Sequence, residues 1–269
     1  MIKAAVLGKP IGHSLSPLVH GLIYEHLGID HRYEKFELDQ QEAKGFIKNR
    51  FANDEDSWSG FSLTMPLKEI GFELGMEVDS DAFRAHSINT ITRQGCFNTD
   101  ITGLRRVFRI QGVNPPEVII LGSGATARSV LVAIESLEDL SRTSIYRRSD
   151  SRDYLLPISS ERRVSLRALS ELGDRHIGPE VLLISTLPAS AQQEVSPQLV
   201  GFEGTLLDIS YSPWPSILAG VVEGSVISGL PVLVAQAIDQ ARLFSGLAFD
   251  EDQLYRSILL STIQQITRR

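Results

Sequence analysis

The first chemical signal in this 269-residue chain is two glycines and an alanine at fixed spacing: residues 118–127 read V-I-I-L-G-S-G-A-T-A. An apolar run, Glu117–Leu121, stops at Gly122, and the helix-like stretch Thr126–Leu137 follows. In a strand–turn–helix, the first glycine makes the tight turn. Gly124 lets the backbone approach a pyrophosphate, and the small Ala127 lets the helix pack close to the strand. The N–H groups and dipole of the helix start, at Ala125, Thr126 and Ala127, then hold the phosphates. Dinucleotide binding is expected, against the plain alternative of a tight turn without ligand. A second signal follows the next predicted strand, Ser144–Tyr146. There Y-R-R-S-D-S-R (146–152) sets Arg147 and Arg148 where an NAD site has an acid for the ribose hydroxyl and an NADP site has arginine. Two neighbouring guanidinium groups suit a phosphate, so NADP is expected, with NAD left open by Asp150.

The segment S-I-N-T-I-T-R-Q-G-C-F-N-T-D (87–100) carries an echo, Asn89-Thr90 before a turn and Asn98-Thr99 after it. With Gln94-Gly95 as a two-residue loop, Arg93 faces Cys96 and Asn89 lies opposite Asp100. Two readings stay open: polar groups gathered into a site, or strand ends with Asp100 capping a helix over Thr102–Val107.

These groups need a scaffold, and the pattern supplies one. Met1–Leu7, Tyr33–Leu38 and Trp58–Leu63 read as strands. Leu18–Leu27 reads as a helix after the cap pair Ser16-Pro17, and Ala43–Phe51 as a short helix. Beyond the break Gly112-Val113-Asn114-Pro115-Pro116 come strand-like runs at Val118–Leu121, Ser144–Tyr146, Val181–Ser185, Thr205–Ile209 and Ser225–Ser228. Their alternation with helix-like segments predicts a parallel α/β sheet. Helical patterning resumes after Pro231 and runs through Asp250–Arg269. There is no repeat of solenoid period.

With 42% apolar residues the chain builds a substantial core, and a net charge of −7 argues against general binding to nucleic acid or anionic membranes. The lone Cys96 supports neither a disulfide framework nor a cysteine-rich metal site. M-I-K-A-A-V-L-G is too short an apolar run for a signal peptide, and no apolar stretch is long enough for a bilayer, so the cytoplasm is the default expectation.

Further segments join these signals. G-K-P-I-G-H-S-L-S-P-L-V-H (8–20) looks like the G-x-P-x-x-H-S-x-S-P motif of the shikimate dehydrogenase family. S-L-T-M-P-L-K (62–68) looks like its x-V-T-x-P-x-K segment, and N-T-D (98–100) with Gly103 matches its N-T-D-x-x-G. The resemblance continues through the glycine loop, D-I-S-Y-S-P (208–213) and G-L-P-V-L-V-A-Q (229–236), in order over essentially the whole chain. It implies two α/β domains: a substrate domain of residues 1–102 and 231–269, and an inserted Rossmann domain of residues 103–230. It implies reversible, NADP-dependent reduction of 3-dehydroshikimate to shikimate, on the route to chorismate and the aromatic amino acids. A small-molecule substrate, no metal, and a monomer or homodimer are the matching expectations.

By the same resemblance Lys68 and Asp100 are the catalytic pair. Hydride addition to a ketone makes an alkoxide, which needs a proton donor in hydrogen-bond reach, and Lys68 is suited to that. An anionic neighbour favours an ammonium over an amine, so Asp100 orients Lys68 and binds a substrate hydroxyl. Ser14 and Ser16 would hold the substrate carboxylate near a helix start. Thr64, Asn89 and Gln236 match positions that bond the ring substituents, and Tyr211 one bordering substrate and nicotinamide. Gly229 joins Gly122, Gly124, Ala125, Thr126, Ala127, Arg147 and Arg148 on the cofactor side. His13 and His20 read as structural. The chain departs from the family pattern at Tyr146, Arg148 and Ser149, at His86, Ser87 and Cys96, within the glycine loop at Ser123, Ala125 and Thr126, at Ser185, Thr186 and Leu187, and at Val232. These departures spare the catalytic groups and leave specificity open. The rivals are a paralogue acting on quinate or an aminated analogue with NAD, and a non-catalytic ligand sensor of the same fold.

Overall fold

The computed structural model describes residues 1–53, 57–157, 164–174 and 176–268. In chain order the first elements are β1 (Ile2–Gly8), α1 (Ser16–His26), β2 (His31–Glu37), α2 (Gln40–Ala52), β3 (Gly60–Leu63), α3 (Ser80–Ala85), β4 (Thr90–Thr92), β5 (Gly95–Phe97) and α4 (Thr99–Gln111). Then follow β6 (Glu117–Leu121), α5 (Ala125–Ala133), β7 (Arg142–Arg147), β8 (Val164–Ala168), β9 (Val181–Ser185), α6 (Ala189–Val195), β10 (Thr205–Asp208), β11 (Val226–Ile227), α7 (Leu230–Ser245) and α8 (Glu251–Thr267). Arg269, the last residue of the expected final helix, lies outside the described residues. Among the described residues, no helix is long and apolar enough to cross a membrane.

The chain forms two compact units, Met1–Gly103 with Leu233–Arg269, and Leu104–Val232. The divisions fall inside α4 and α7, whereas the Pro115-Pro116 break only separates α4 from β6. The first unit holds a five-stranded sheet of order β2-β1-β3-β4-β5. Its β1 runs parallel to β2 and β3, and the β3–β4–β5 steps are antiparallel. Leu7, Phe61, Ile88, Ile91 and Cys96 pack its core with Trp58 and Ile47. Burial pushes the Cys96 thiol up to about 11, as befits an inert core residue.

The second unit is a six-stranded parallel sheet of order β11-β10-β9-β6-β7-β8. Its central strands E-V-I-I-L and V-L-L-I-S are buried along their whole length, because helices cover both faces of such sheets. The sequence pattern missed β8. Its V-S-L-R-A is a half-exposed edge strand without an apolar run.

One cap expectation changes. Ser16 is the first residue of α1, the N-cap is Leu15, and no side chain caps that end. Four residues on, His20 is fully buried, its ring stacked on Tyr33 at 4.0 Å, with Nε2 3.1 Å from Gln240 Oε1. An amide oxygen only accepts, so Nε2 carries the proton. Burial pushes the imidazole down to about 3, against the hydrogen bond it donates to Gln240. An unfolded histidine titrates near about 6.5. Between these values the unfolded chain binds a proton that the folded one refuses, so stability is lost as pH falls through that window. In urea unfolding, His20→Phe should flatten stability against pH by about 1.4 kcal/mol per unit between about pH 6 and 5. Parallel profiles for variant and parent would exclude this.

Candidate active site

Lys68 Nζ lies 2.6 Å from Asp100 Oδ2, and both side chains are only 12–14% exposed. Lys68 follows the turn after β3, where its carbonyl accepts from Ile88 N at 2.7 Å and ties that turn to the start of the hairpin. Asp100 sits in the first turn of α4, which Asn98 caps by accepting from Asp100 N at 3.1 Å. The hairpin register differs from the one expected. Thr90 pairs with Phe97, Ile91 with Cys96 and Thr92 with Gly95, which makes Arg93-Gln94 the two-residue loop. Gly95 lies at φ +153°, and a Cβ there would stand 2.9 Å from the Glu77 carbonyl oxygen, so the glycine belongs to the strand edge. Asn89 is therefore not opposite Asp100 across the ladder. It reaches Asp100 because α4 starts directly after β5 and turns Asp100 back: Asn89 Nδ2 donates to Asp100 Oδ1 at 2.9 Å. Asp100 thus divides its oxygens between an ammonium and an amide.

Gln236, on α7, joins the same cluster. Its Oε1 accepts from Asn89 Nδ2 at 3.3 Å and from Thr99 Oγ1 at 3.5 Å. That approach depends on Gly103 of α4, where a Cβ would lie 2.9 Å from Gln236 N. The structure adds Thr90, Thr99 and Gln240 to the network. The two threonines are the second members of the Asn-Thr echo, and Gln240 lies one helical turn after Gln236, on the same face of α7. Both signals were present in the sequence.

The serines and Thr64 stand beyond the carboxyl ends of parallel β1 and β3. Ser14 Oγ accepts from Ser16 N at 3.3 Å, and Ser16 is buried without serving as a cap. Thr64 N donates to Leu7 O at 2.9 Å, and a Cβ at Gly8 would meet Thr64 Cγ2 at 2.3 Å, which explains that glycine. His13 is exposed.

In the second unit the chain moves from β6 to β7 and β8, then returns to place β9 on the other side of β6. This strand reversal is where open α/β sheets bind ligands. Gly122 stands there at φ +112°, and a Cβ on it would meet Thr186 Oγ1 at 2.4 Å. Gly124 is the N-cap of α5, exposed, with open space around a notional Cβ and no side chain capping the helix. Ala127 is fully buried. A short turn, an uncapped helix start and open approach fit a pyrophosphate.

Arg147 is more committed than expected. Its Nε and Nη2 bond Asp153 at 2.6 and 2.5 Å, and Nη1 donates to Arg167 O at 3.0 Å. Arg148 is half-exposed and pairs with Glu194 of α6 at 2.6 Å. The half-buried Tyr211 follows β10 on a loop braced by Asp208, which the sequence reading passed over. Burial raises the Asp208 carboxyl, against hydrogen bonds from Ser216, Ser210 and Gln192. Gly229 packs this loop: a Cβ there would lie 1.9 Å from Ile209 O.

Known proteins are similar to this chain. Residues 6–91 match the model for the shikimate dehydrogenase substrate binding domain. A shikimate dehydrogenase (NADP(+)) of Thermus thermophilus is 30% identical over 265 residues, covering 93% of this chain and 95% of that protein. The crystal structure of Mycobacterium tuberculosis shikimate dehydrogenase is similar, with a TM-score of 0.79 and 31% identity over 97% of this chain and 99% of that one. The Thermus thermophilus enzyme crystallised in complex with NADP(H) and shikimate is also similar, with a TM-score of 0.73 and 25% identity over 97% and 100% of the two chains.

The contact at Gly103 can be tested by comparing helical glycines. Gly103→Ala should destabilise by about 1–3 kcal/mol, because α7 must move away. Gly45→Ala, with nothing near its Cβ, should stabilise by about 0.5–1 kcal/mol. Equal effects in urea unfolding would refute the close approach.

Proposed function

The chain belongs to the shikimate dehydrogenase family, and from that premise we propose that it catalyses the reversible NADP(H)-dependent reduction of 3-dehydroshikimate to shikimate. The observation that carries this reading is the Lys68–Asp100 pair at 2.6 Å, with Asn89 on the other carboxylate oxygen. When bound, the nicotinamide supplies the hydride taken up by the substrate's carbonyl carbon. As the carbonyl oxygen becomes an alkoxide, the Lys68 ammonium stabilises the growing charge and gives that oxygen its proton. Asp100 holds the ammonium in place and accepts from a neighbouring substrate hydroxyl. Ser14 and Ser16 hold the carboxylate, and Thr64, Asn89 and Gln236 orient the ring. Tyr211 borders the substrate and the nicotinamide.

On this reading the first unit takes the substrate and the second the cofactor. The Gly122–Ala127 turn holds the pyrophosphate. The half-exposed Arg148 supplies most of the charge to the 2′-phosphate, and Arg147, braced by Asp153, keeps that turn in shape while contributing its remaining donors. Gly229 acts on the cofactor side by packing the loop that carries Tyr211.

Two experiments test the assignment. Lys68→Met should lower kcat by about two or more orders of magnitude in a reduced-cofactor absorbance assay, with a smaller change in substrate KM. Turnover within a few-fold of the parent would overturn the role of Lys68. The parent, assayed with shikimate and quinate against both cofactors, should prefer shikimate and NADP. Arg148→Ala should then raise the KM for NADP by about tenfold or more, the loss of one charged hydrogen bond, and barely alter that for NAD. A parent that uses NAD better would make Asp150 the ribose ligand.

A further inference from the structure

We propose that Gln240 is a positioning residue for the catalytic pair, acting through Thr90 and Asn89 to set the direction of the hydrogen bonds that end on Asp100. The inference rests on the reading of Lys68 and Asp100 as catalytic, and it adds a residue that touches neither substrate nor cofactor. Gln240 is fully enclosed on α7. Its Nε2 donates to Asn89 O at 3.2 Å and Thr90 Oγ1 at 3.0 Å, while its Oε1 accepts from Ser62 Oγ at 2.8 Å and faces His20 Nε2 at 3.1 Å. Tyr33 OH in turn donates to Ser62 Oγ at 2.7 Å.

The polarity of this chain is determined at both ends by backbone groups. The Asn89 carbonyl can only accept, so the amide nitrogen of Gln240 must face it. Thr99 N can only donate, and it reaches Asn89 Oδ1 at 2.8 Å, so the Asn89 amide nitrogen must face the other way, toward Asp100. Thr90 stands between the two amides. Its hydroxyl accepts from Gln240 and donates to Asn89 Oδ1 at 2.8 Å, the one sense compatible with both ends. Every donor from Tyr33 and from Gln240 onward is thereby used in one direction, and Asn89 presents N–H to the Asp100 carboxylate that holds Lys68. Without the Thr90 hydroxyl, the Asn89 oxygen would keep only its bonds from Thr99, and the amide would be held less firmly with its N–H toward the Asp100 carboxylate.

The test uses the full-length protein with Gln240→Leu, Thr90→Val and Thr90→Ser. Thr90→Val keeps the volume and removes the hydroxyl, so it decides the matter even where Gln240→Leu fails to fold. Gln240→Leu and Thr90→Val should lower kcat by about ten- to a hundredfold, on the scale of a misplaced catalytic group. The KM for NADP should stay within about twofold, and Thr90→Ser should recover parental turnover. Independently of turnover, the Asn89 side-chain amide protons, followed by NMR exchange, should be protected in the parent and in Thr90→Ser and exchange faster in Thr90→Val. Parental kcat in Thr90→Val, or an unchanged Asn89 amide, would overturn the proposal. A parent that fails to turn over shikimate would sink the functional reading alone, since the amide measurement still decides the role of Gln240.

Discussion

The ion pair between Lys68 and Asp100 is the constraint around which the first unit is arranged. Both side chains are nearly enclosed, so neither charge has enough water to stand alone, and losing one partner from such a pair costs about 3–5 kcal/mol where burial is complete. Yet in the proposed reaction the ammonium must stay accessible to the reacting oxygen. The fold meets both demands by fastening each partner through its backbone. Lys68 is tied by its carbonyl to Ile88 N, and Asp100 is set by the Asn98 cap of α4.

From that pair outward, packing is subordinate to polar geometry. Gly103 lets α7 come close enough for Gln236 to touch Asn89, and Gln240 extends the contact by one turn. Aromatic rings close the far end, where His20 lies on Tyr33 and stays neutral in its buried site. A neutral, once-protonated imidazole gives Gln240 a donor without adding charge near the Asp100 carboxylate.

On the proposed reading the second unit solves a different problem, that of bringing backbone to an anion. Its answer is steric. Gly122 has a positive φ and Thr186 directly beside it, so any side chain there would push β6 and β9 apart at their reversal point. The acidic partners of Arg147 and Arg148, Asp153 and Glu194, offset the repulsion between the two adjacent guanidinium groups.

The sequence by itself determined the strand–turn–helix at Gly122–Ala127, the alternation that makes parallel sheets, and, through ordered motifs, the family and the residues of the pair. These are local matters: a glycine's tolerance of positive φ and a run of apolar residues are written in neighbouring positions. Other features depended on tertiary structure. The hairpin loop proved to be Arg93-Gln94 because the Glu77 backbone lies against Gly95, a contact distant in sequence. Ser16 lost its capping role to the path of the chain at Leu15. Arg147 was claimed by Asp153, and Gln240 was drawn into the site from 151 positions beyond Asn89. Side chains such as these have several partners of equal chemistry along the chain, and only the tertiary packing around each selects among them.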